Sequence, residues 1–409
     1  MNKALKYKIV VWFIIGFLLI FLPSAVTTPS QIQTKSIVLG IGIDKSDSEM
    51  LEVSAQIIIP QQSTNYSPKN LIASAEGNSL IDAIFNIEAE IGQRLGLAHC
   101  YVIILGDEIC SENIPEILDF FIRSNIMGNN SSLVHTSGKA KKLLETSAQL
   151  SASDVNNLQN ITKYNRKNNI AADTSFIDLF NEYLSPAPFS LVASISVDES
   201  ESSSSESSSE GSSGDSSSSS SSATNSPSST VLKNDGSAVV FKKGKKLLTL
   251  NKDQVIKFNW LETKTQRGLL TIEHFTNNIL NDVNITLKQI SKSINFNAKI
   301  VNNTPILKLN IALETTLDVI ENPEGDLYTI HYNYFDNAFR NAVQNKVKQD
   351  IADALSISKI NNFDIMNIYN IFNTSNHQEW KKFLSTLENP ENYMERVEIE
   401  VNTSIVDRK

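Results

Sequence analysis

The sequence predicts a multi-domain protein of the α+β or mixed α/β class, in which mixed and antiparallel sheets pack with helices behind an N-terminal membrane segment. Three observations predict this fold class. Strand-like and helix-like apolar spacings alternate through the first third of the chain, as they do in α/β domains. The last third places alternating strands before a long helix-period repeat. A continuous apolar run opens the chain.

Composition sets the broad class of the protein. A chain of 409 residues exceeds one ordinary hydrophobic core and indicates two or three domains, which its 41% of hydrophobic residues can fill. The formal net charge is -9, and the sequence lacks the dense arginine and lysine tract that phosphate binding requires. Nucleic acid is therefore not an expected partner.

Residues 1–30 are expected to form an N-terminal membrane anchor or signal segment. Lysines within the first eight residues precede an apolar run at 9–22. The run is intermediate in length between a signal peptide and a spanning helix, so it is either cleaved or retained. Residues 23–26 fit a cleavage site poorly, which favours a retained anchor with the lysines inside and the remaining chain exported.

Residues 31–147 are predicted to form an N-terminal α/β domain. Apolar strands at 36–43 and 51–58 flank a polar turn, which predicts a β-hairpin. A further short strand is expected at 72–76, after a polar loop that contains two prolines.

A helix is predicted over residues 80–95, where apolar side chains recur at three- and four-residue steps. Ser79 is placed to cap its start and Gly96 to close its end.

The rest of this domain continues the alternation of strands and helices. A buried strand is predicted at 101–105, and an amphipathic helix presents apolar residues around 117–122. A last strand near 133–135 and a helix that begins near Lys139 complete the predicted α/β domain.

Residues 148–267 are expected to form a middle subdomain, in which Phe176, Leu179 and Phe180 share one helical face. The tract 198–229 is almost wholly serine and cannot bury enough apolar surface to offset its ordering entropy, so we expect it to be disordered. It is read as a solvated spacer, with a phosphorylation or wall-polymer contact segment as the alternative.

Two further strands, at 238–241 and 246–250, flank the turn Lys243-Gly244-Lys245 and predict a second hairpin. The lysines of this turn are either solvated or available to anionic lipid.

Residues 268–409 are predicted to form a C-terminal α+β domain. It opens with alternating strands at 284–290, 294–300 and 306–313. A long helix follows, and one face of it is expected to pack on the strands. Its apolar residues repeat every four positions at Phe335, Phe339, Val343, Val347, Ile351 and Leu355.

The end of this domain is predicted to contain shorter helices near 365–372 and 378–387 and a final alternating strand at 397–401. An antiparallel sheet backed by one long helix is the expected outcome.

No catalytic, cofactor-binding or metal-ligating residue is predicted. The five histidines lie far apart, and none has the spacing that binds a metal on one helix. Residues 40–44 lack the third glycine and the helix start of a dinucleotide fingerprint, and no serine lies in a nucleophile elbow. Cys100 and Cys110 either pair or remain two separate buried thiols.

Several short motifs recur along the chain in a fixed order and spacing. They lie at residues 38–45, 52–58, 77–84, 99–108, 117–123, 236–241 and 362–365, at Trp380 and in the strand near 397. Together they resemble the Ger(x)C family, the C subunits of nutrient germinant receptors of endospore-forming bacteria. The likeness covers most of the chain outside the serine tract.

The resemblance implies a non-catalytic, three-domain extracytoplasmic subunit on the outer face of the spore inner membrane. Its implied partners are a polytopic A subunit and a transporter-like B subunit, and its implied role is in the germination response to nutrients. His99 and Arg123 match family positions, although a strand-edge histidine and a helix-end ion pair explain them equally well. The family is typically lipidated at a cysteine that residues 23–26 replace here, so the tether differs.

Two other classes of protein stay open at this point. A secreted or wall-associated hydrolase would also be exported and would require acidic and histidine side chains that converge in one pocket. A membrane-anchored solute-binding protein would require a deep cleft between domains.

Overall fold

A computed structural model describes residues 11–17, 35–59, 69–124, 126–128, 130–150, 154–168, 170–199, 230–262, 267–329 and 336–407. Of the expected membrane segment 1–30, only 11–17 are described, and they are helical. Nearly all of the serine tract 198–229 lies outside the described residues. Among the helices within the described ranges, none is both long and apolar enough to cross a membrane.

The first structural layer is a ten-stranded sheet with the order β12-β11-β8-β6-β5-β1-β2-β3, in which β4 pairs with β1 and β7 with β6. Its strands are β1 (Lys35–Lys45), β2 (Leu51–Ile59), β3 (Lys69–Gly77), β4 (Arg94–Gly96), β5 (Val102–Leu105), β6 (Ser132–His135), β7 (Thr174–Ser175), β8 (Phe189–Ser194), β11 (Ala238–Lys242) and β12 (Lys245–Leu250). β9 (Ser196–Glu199) and β10 (Thr230–Lys233) form a separate pair.

Helices cover both faces of this sheet. They are α1 (Leu80–Ile91), α2 (Ile114–Ser124), α3 (Ala140–Leu150), α4 (Asp154–Lys167), α5 (Phe176–Tyr183) and α6 (Lys252–Asn259). Buried side chains of α1, α2 and α5 share one apolar cluster with β1 and β2. Leu143 and Leu144 of α3 and Leu158 of α4 pack with β5 and β6 on the opposite face. The result is a three-layer α/β/α arrangement.

The second sheet has the order β13-β14-β15-β16, from β13 (Gly268–Phe275), β14 (Val283–Val301), β15 (Thr304–Glu321) and β16 (Glu398–Asp407). The long helix α7 (Asn337–Ile360) buries Phe339, Val343, Val347, Ile351 and Leu355 in the core that it shares with this sheet. Two short helices, α8 (Ile368–Ser375) and α9 (His377–Leu384), follow it. Mixed and antiparallel sheets packed with helices therefore confirm the predicted fold class.

Both predicted hairpins are confirmed. β1 pairs antiparallel with β2, and β11 pairs antiparallel with β12. The helical face of Phe176, Leu179 and Phe180 is also present, because all three side chains are buried in α5.

The first helix ends earlier than its apolar spacing predicts. It stops at Ile91 because Gly92 adopts the left-handed conformation, with φ 70°, and donates its N–H to the carbonyl of Glu88. Leu95 and Gly96 then belong to the short strand β4 rather than to the helix.

The C-terminal sheet differs from the prediction in two respects. The expected strands 284–290 and 294–300 are one strand, β14, because the polar residues 291–293 contain no turn residue and pair with 312–314 of β15, although the register shifts between Gln289 and Ser291. The final strand β16 runs parallel to β15, since α7 to α9 carry the chain back before it enters the sheet. Phe335, the first residue of the predicted helix repeat, lies outside the described residues.

The segment expected to form a middle subdomain contributes β8, β11 and β12 to the ten-stranded sheet. Its residues also contact the segment after α7, because Phe363 stacks on Phe189 at 5.1 Å and on Phe258 at 5.8 Å between ring centroids. One apolar core therefore joins the two sheets. The division at residues 147 and 267 stays a prediction.

Candidate functional site

The parallel strands β1, β5, β6 and β8 bring their carboxyl ends to one edge of the large sheet. In open α/β sheets this is the edge where ligands bind, close to the point where the strand order reverses. Here that point lies between β1 and β5. We call the side chains gathered at this edge the polar edge. It consists of Asp44, Asp107, His135, Ser194 and Lys246.

Asp44 occupies the amino end of α3. Its Oδ1 accepts a hydrogen bond from the N–H of Ala140 at 2.7 Å, and its Oδ2 accepts one from Lys141 at 2.9 Å. Burial raises the pKa of this carboxyl above its ordinary value, although the two backbone hydrogen bonds oppose the rise. The chain's own carboxylate thus fills the helix end at which other α/β proteins bind phosphate.

Gly106 allows this contact. A β-carbon at Gly106 would lie 2.1 Å from Oδ1 of Asp44, a distance that no real side chain shows. Only glycine fits between the end of β5 and the carboxylate of Asp44. Gly106 is therefore required as long as Asp44 caps the amino end of α3.

His135 forms the centre of a hydrogen-bonded row at the polar edge. Its Nδ1 lies 2.9 Å from Oγ of Ser194, and its Nε2 lies 2.9 Å from Oδ1 of Asp107. Lys246 binds the same carboxylate oxygen through its ammonium group. Together these contacts tie the end of β6 to the end of β8, to the loop after β5 and to β12.

The charges in this row follow from its burial. Burial lowers the pKa of His135 below its ordinary value, against the opposing effect of its hydrogen bond with Asp107. The neutral imidazole therefore donates from Nε2 to Asp107 and accepts at Nδ1 from the hydroxyl of Ser194. Burial alone would raise the pKa of Asp107, but hydrogen bonds from Lys246 and His135 outweigh it and hold that pKa low.

Serine, histidine and aspartate in a row are also the residue types of a hydrolase triad. The orientation here places the serine inside the protein, where Ser194 is 8% exposed, and the carboxylate outside, where the Asp107 side chain is 44% exposed. Ser194 lines neither of the two surface openings beside the polar edge. The hydroxyl thus faces packed interior, and the row connects strand ends.

An open groove of about 840 Å³ lies beside the polar edge, between the amino end of α1, the β1–β2 turn and α2. We call it the α1–α2 groove. Its walls combine apolar side chains with charged ones that are mostly paired at the rim. The apolar members are Met50, Leu51, Leu80, Ile81, Ile109, Ile117 and Phe120, and the rim charges are Lys45, Glu49, Glu112, Glu116, Asp119, Arg123 and Lys245.

The rim of the groove carries internal ion pairs. Lys45 binds Glu49 and lies 3.6 Å from Glu112. Arg123 pairs with Asp119 one helical turn earlier. A second opening of about 710 Å³ shares Lys45 with the groove and includes Asp107 of the polar edge.

The two family positions noted in the sequence lie at different ends of the large sheet. Arg123 is at the groove, in the helix ion pair just described. His99 is exposed in a short helical turn at residues 97–99, before β5 begins, and so at the opposite end of the sheet from the groove.

The described residues hold no cluster of three or more histidine, cysteine, aspartate or glutamate side chains able to bind a metal ion. Cys100 and Cys110 are both free and buried. Burial raises the pKa of each thiol to about 12, so both stay protonated.

The sequence alone did not reveal the polar edge. Asp107 and His135 are 28 residues apart, His135 and Ser194 are 59 apart, and Lys246 is 139 residues from Asp107. The one usable signal was that Asp44, Asp107 and His135 each lie at or just after the end of an apolar strand.

Comparison with known proteins identifies the architecture. The model of the "Spore germination protein N-terminal domain" matches residues 29–195, and that of the "Spore germination B3/ GerAC like, C-terminal" domain matches residues 235–407. The solved structure "Crystal Structure of the GerBC protein" superposes with a TM-score of 0.50 at 13% sequence identity, covering 90% of this chain and 97% of that one. No curated protein matches the sequence.

The fold is therefore similar to that of the GerBC structure, and it joins a large α/β sheet to a smaller sheet under one long helix. The chain belongs to the Ger(x)C family of spore germination proteins, since the two domain models together cover most of its length.

Proposed function

We propose that this chain is a non-catalytic, extracytoplasmic subunit of a nutrient germinant receptor in the spore inner membrane. It assembles with a polytopic A subunit and a transporter-like B subunit and is needed for the germination response to nutrients. The observation that carries the proposal is the match of both germination-protein domains over 29–195 and 235–407.

The polar edge supports a binding role rather than turnover. Asp44 fills the helix end that would otherwise receive an anionic ligand, and the hydroxyl of Ser194 faces the interior. The accessible feature beside them is the α1–α2 groove, which is broad, open and partly apolar. Such a surface suits contact with another protein better than capture of a small molecule, which requires a concave and enclosed pocket.

The membrane location rests on the sequence of residues 1–30. The lysines and the apolar run at 9–22 favour a retained anchor that leaves the folded body outside the cytoplasm. A mature N-terminus near Val26, found by mass spectrometry of the protein from spores, would contradict the retained anchor.

Deletion of the gene tests the proposed role directly. Spores that lack the chain are expected to lose optical density slowly or not at all after nutrient addition, while a nutrient-independent trigger still germinates them. Complementation with the full chain is expected to restore the nutrient response. A normal nutrient response in the deletion strain, with related genes also removed, would refute the proposal.

The genes adjacent to the one that encodes this chain are expected to encode a polytopic protein and a transporter-like protein.

The groove has a matched pair of variants. Ile81 is 36% exposed in the groove, whereas Glu90 is exposed on another side of the same helix. We expect Ile81→Lys to reduce the nutrient response at normal protein abundance and Glu90→Lys to leave it unchanged. Equal responses would show that the groove is not a contact surface.

A further inference from the structure

The terminal strands of the two large sheets differ in their protection against pairing with another chain. Natural sheets protect exposed edges with charged side chains and bulges, because an edge strand presents unpaired N–H and C=O groups. Bulges interrupt the pairing of β12 and of β13 with their neighbours. The protecting charges are Lys245 and Lys246 on β12, Glu273 and His274 on β13, and Glu398 and Glu400 on β16.

The fourth terminal strand, β3, has no bulge and no charged residue in its central part. It pairs with β2 over nine residues, Lys69–Gly77, without any shift in register. Its charged residues stand only near its two ends, at Lys69 and Glu76, and the stretch 70–75 is uncharged. Leu71 and Ile72 are half-buried, so each still exposes part of an apolar side chain.

A side chain of α1 shows which backbone groups of β3 point outward. Asn86 donates from Nδ2 to the carbonyl of Glu76 at 2.9 Å. Outward-pointing groups recur at every second residue of an antiparallel edge strand, so we expect Ser74 and Ile72 to present their N–H and C=O groups at the same edge. Within the described chain, neither residue makes a hydrogen bond outside the β2–β3 ladder.

We propose that β3 is a docking edge that receives an extended segment of a membrane subunit of the receptor as an added strand. The inference rests on the proposed function and names a contact surface in addition to the α1–α2 groove. The row of backbone donors and acceptors at Ile72 and Ser74 favours a β-strand as the occupant, since an extended chain presents its own N–H and C=O groups at the same spacing. The edge available to a partner ends at Glu76, because Asn86 of α1 already donates a hydrogen bond to the Glu76 carbonyl.

The neighbouring side chains specify the occupant further. An added strand would lie beside Leu71 and Ile72 and would cover their exposed parts, so apolar residues on it are favoured. The uncharged stretch 70–75 gives no attraction to charged partner residues. The expected segment is therefore short, extended, uncharged and rich in β-branched residues.

Proline at an outward position tests the edge without breaking the sheet. Ser74→Pro removes an N–H that points away from β2, and edge strands tolerate proline at such positions. Ser74→Ala is the matched control, because it removes the hydroxyl and keeps the N–H. We expect Ser74→Pro to weaken recovery of the membrane subunits with the tagged full chain by about tenfold, the effect of about 1.4 kcal/mol from lost hydrogen bonding. Ser74→Ala is expected to recover them normally.

A photo-crosslinking residue at position 74 of the full chain, in spores, identifies the occupant by mass spectrometry. A crosslink to a polytopic or transporter-like subunit supports the proposal. Crosslinks to a second copy of this chain, or only to this chain's own residues 60–68, would overturn it, as would full recovery of the membrane subunits with Ser74→Pro. If deletion of the gene abolishes the nutrient response while Ser74→Pro assembles normally, the docking edge fails and the proposed function stands.

Discussion

His135 and Asp107, 28 residues apart in the chain, meet at 2.9 Å between Nε2 and Oδ1, and this contact fastens the end of β6 to the loop after β5. The imidazole also accepts a hydrogen bond from Ser194 on its other nitrogen. A side chain with both nitrogens engaged and 1% exposure holds three segments of the sheet in place.

The first prediction concerns the pH dependence of stability. Burial holds the pKa of folded His135 below 6.5, whereas the unfolded chain keeps the ordinary value. As the pH falls through 6.5, the unfolded state therefore binds more protons than the folded state, and the free energy of unfolding decreases until the folded pKa is reached. Denaturant midpoints at pH 8 and at pH 5.5 measure this loss. His135→Asn is expected to show a smaller difference, and an unchanged difference would contradict the assignment.

The second prediction tests whether Ser194 is a nucleophile. Ser194→Ala removes one hydrogen bond to His135 and is expected to lower the free energy of unfolding by about 1 kcal/mol. The nutrient response of spores is expected to remain, because the hydroxyl only positions the imidazole. Abolition of the response by Ser194→Ala at normal protein abundance would instead favour a hydrolase.

The third prediction concerns the close approach of Gly106 to Asp44. Gly106→Ala places a methyl group 2.1 Å from Oδ1 of Asp44, so the carboxylate must shift away from the amino end of α3. We expect a loss of about 1–3 kcal/mol in the free energy of unfolding, measured by denaturant titration. Gly138→Ala is the control, since its added β-carbon meets nothing within 4 Å. Equal losses in both variants would contradict the steric argument.

The fourth prediction concerns Lys292, whose side chain is half-buried and whose ammonium group donates to the carbonyls of Asn259 at 2.6 Å and Trp260 at 3.1 Å. Burial lowers its pKa from 10.5 to about 7 in the folded protein. Between these two values the unfolded state binds more protons, so the free energy of unfolding is expected to rise as the pH increases from about 7 toward 10.5.

Unfolding midpoints at pH 7 and pH 9.5 measure this rise. Lys292→Met is expected to remove most of it. Lys299→Met changes an exposed lysine on the same strand and is expected to keep it. If the two variants behave alike, Lys292 is not the source of the pH dependence.

Local apolar spacing correctly predicted helices and strands that bury one regularly spaced face. The four-residue repeat from Phe339 to Leu355 is buried in α7, and both hairpins form where alternation and turn residues placed them. Spacing failed where a single backbone conformation decided the outcome, as at Gly92, which ends α1 one turn early. Spacing also could not show that β16 runs parallel to β15, because the direction of β16 depends on the path of α7 to α9, which connect the two strands.

The candidate site was less predictable than the fold. Asp107, His135 and Ser194 belong to three different strand ends, and no short motif links them. Their proximity follows from the strand order, which local sequence patterns do not encode.

The ring of Phe363, stacked on Phe189 from the large sheet and on Phe258 of α6, has a mechanical consequence. Rotation of the smaller sheet against the larger one would separate these faces and expose buried aromatic surface, which close-packed interiors resist. We therefore expect the two sheets to move together as one body, because relative motion would cost the burial of these rings.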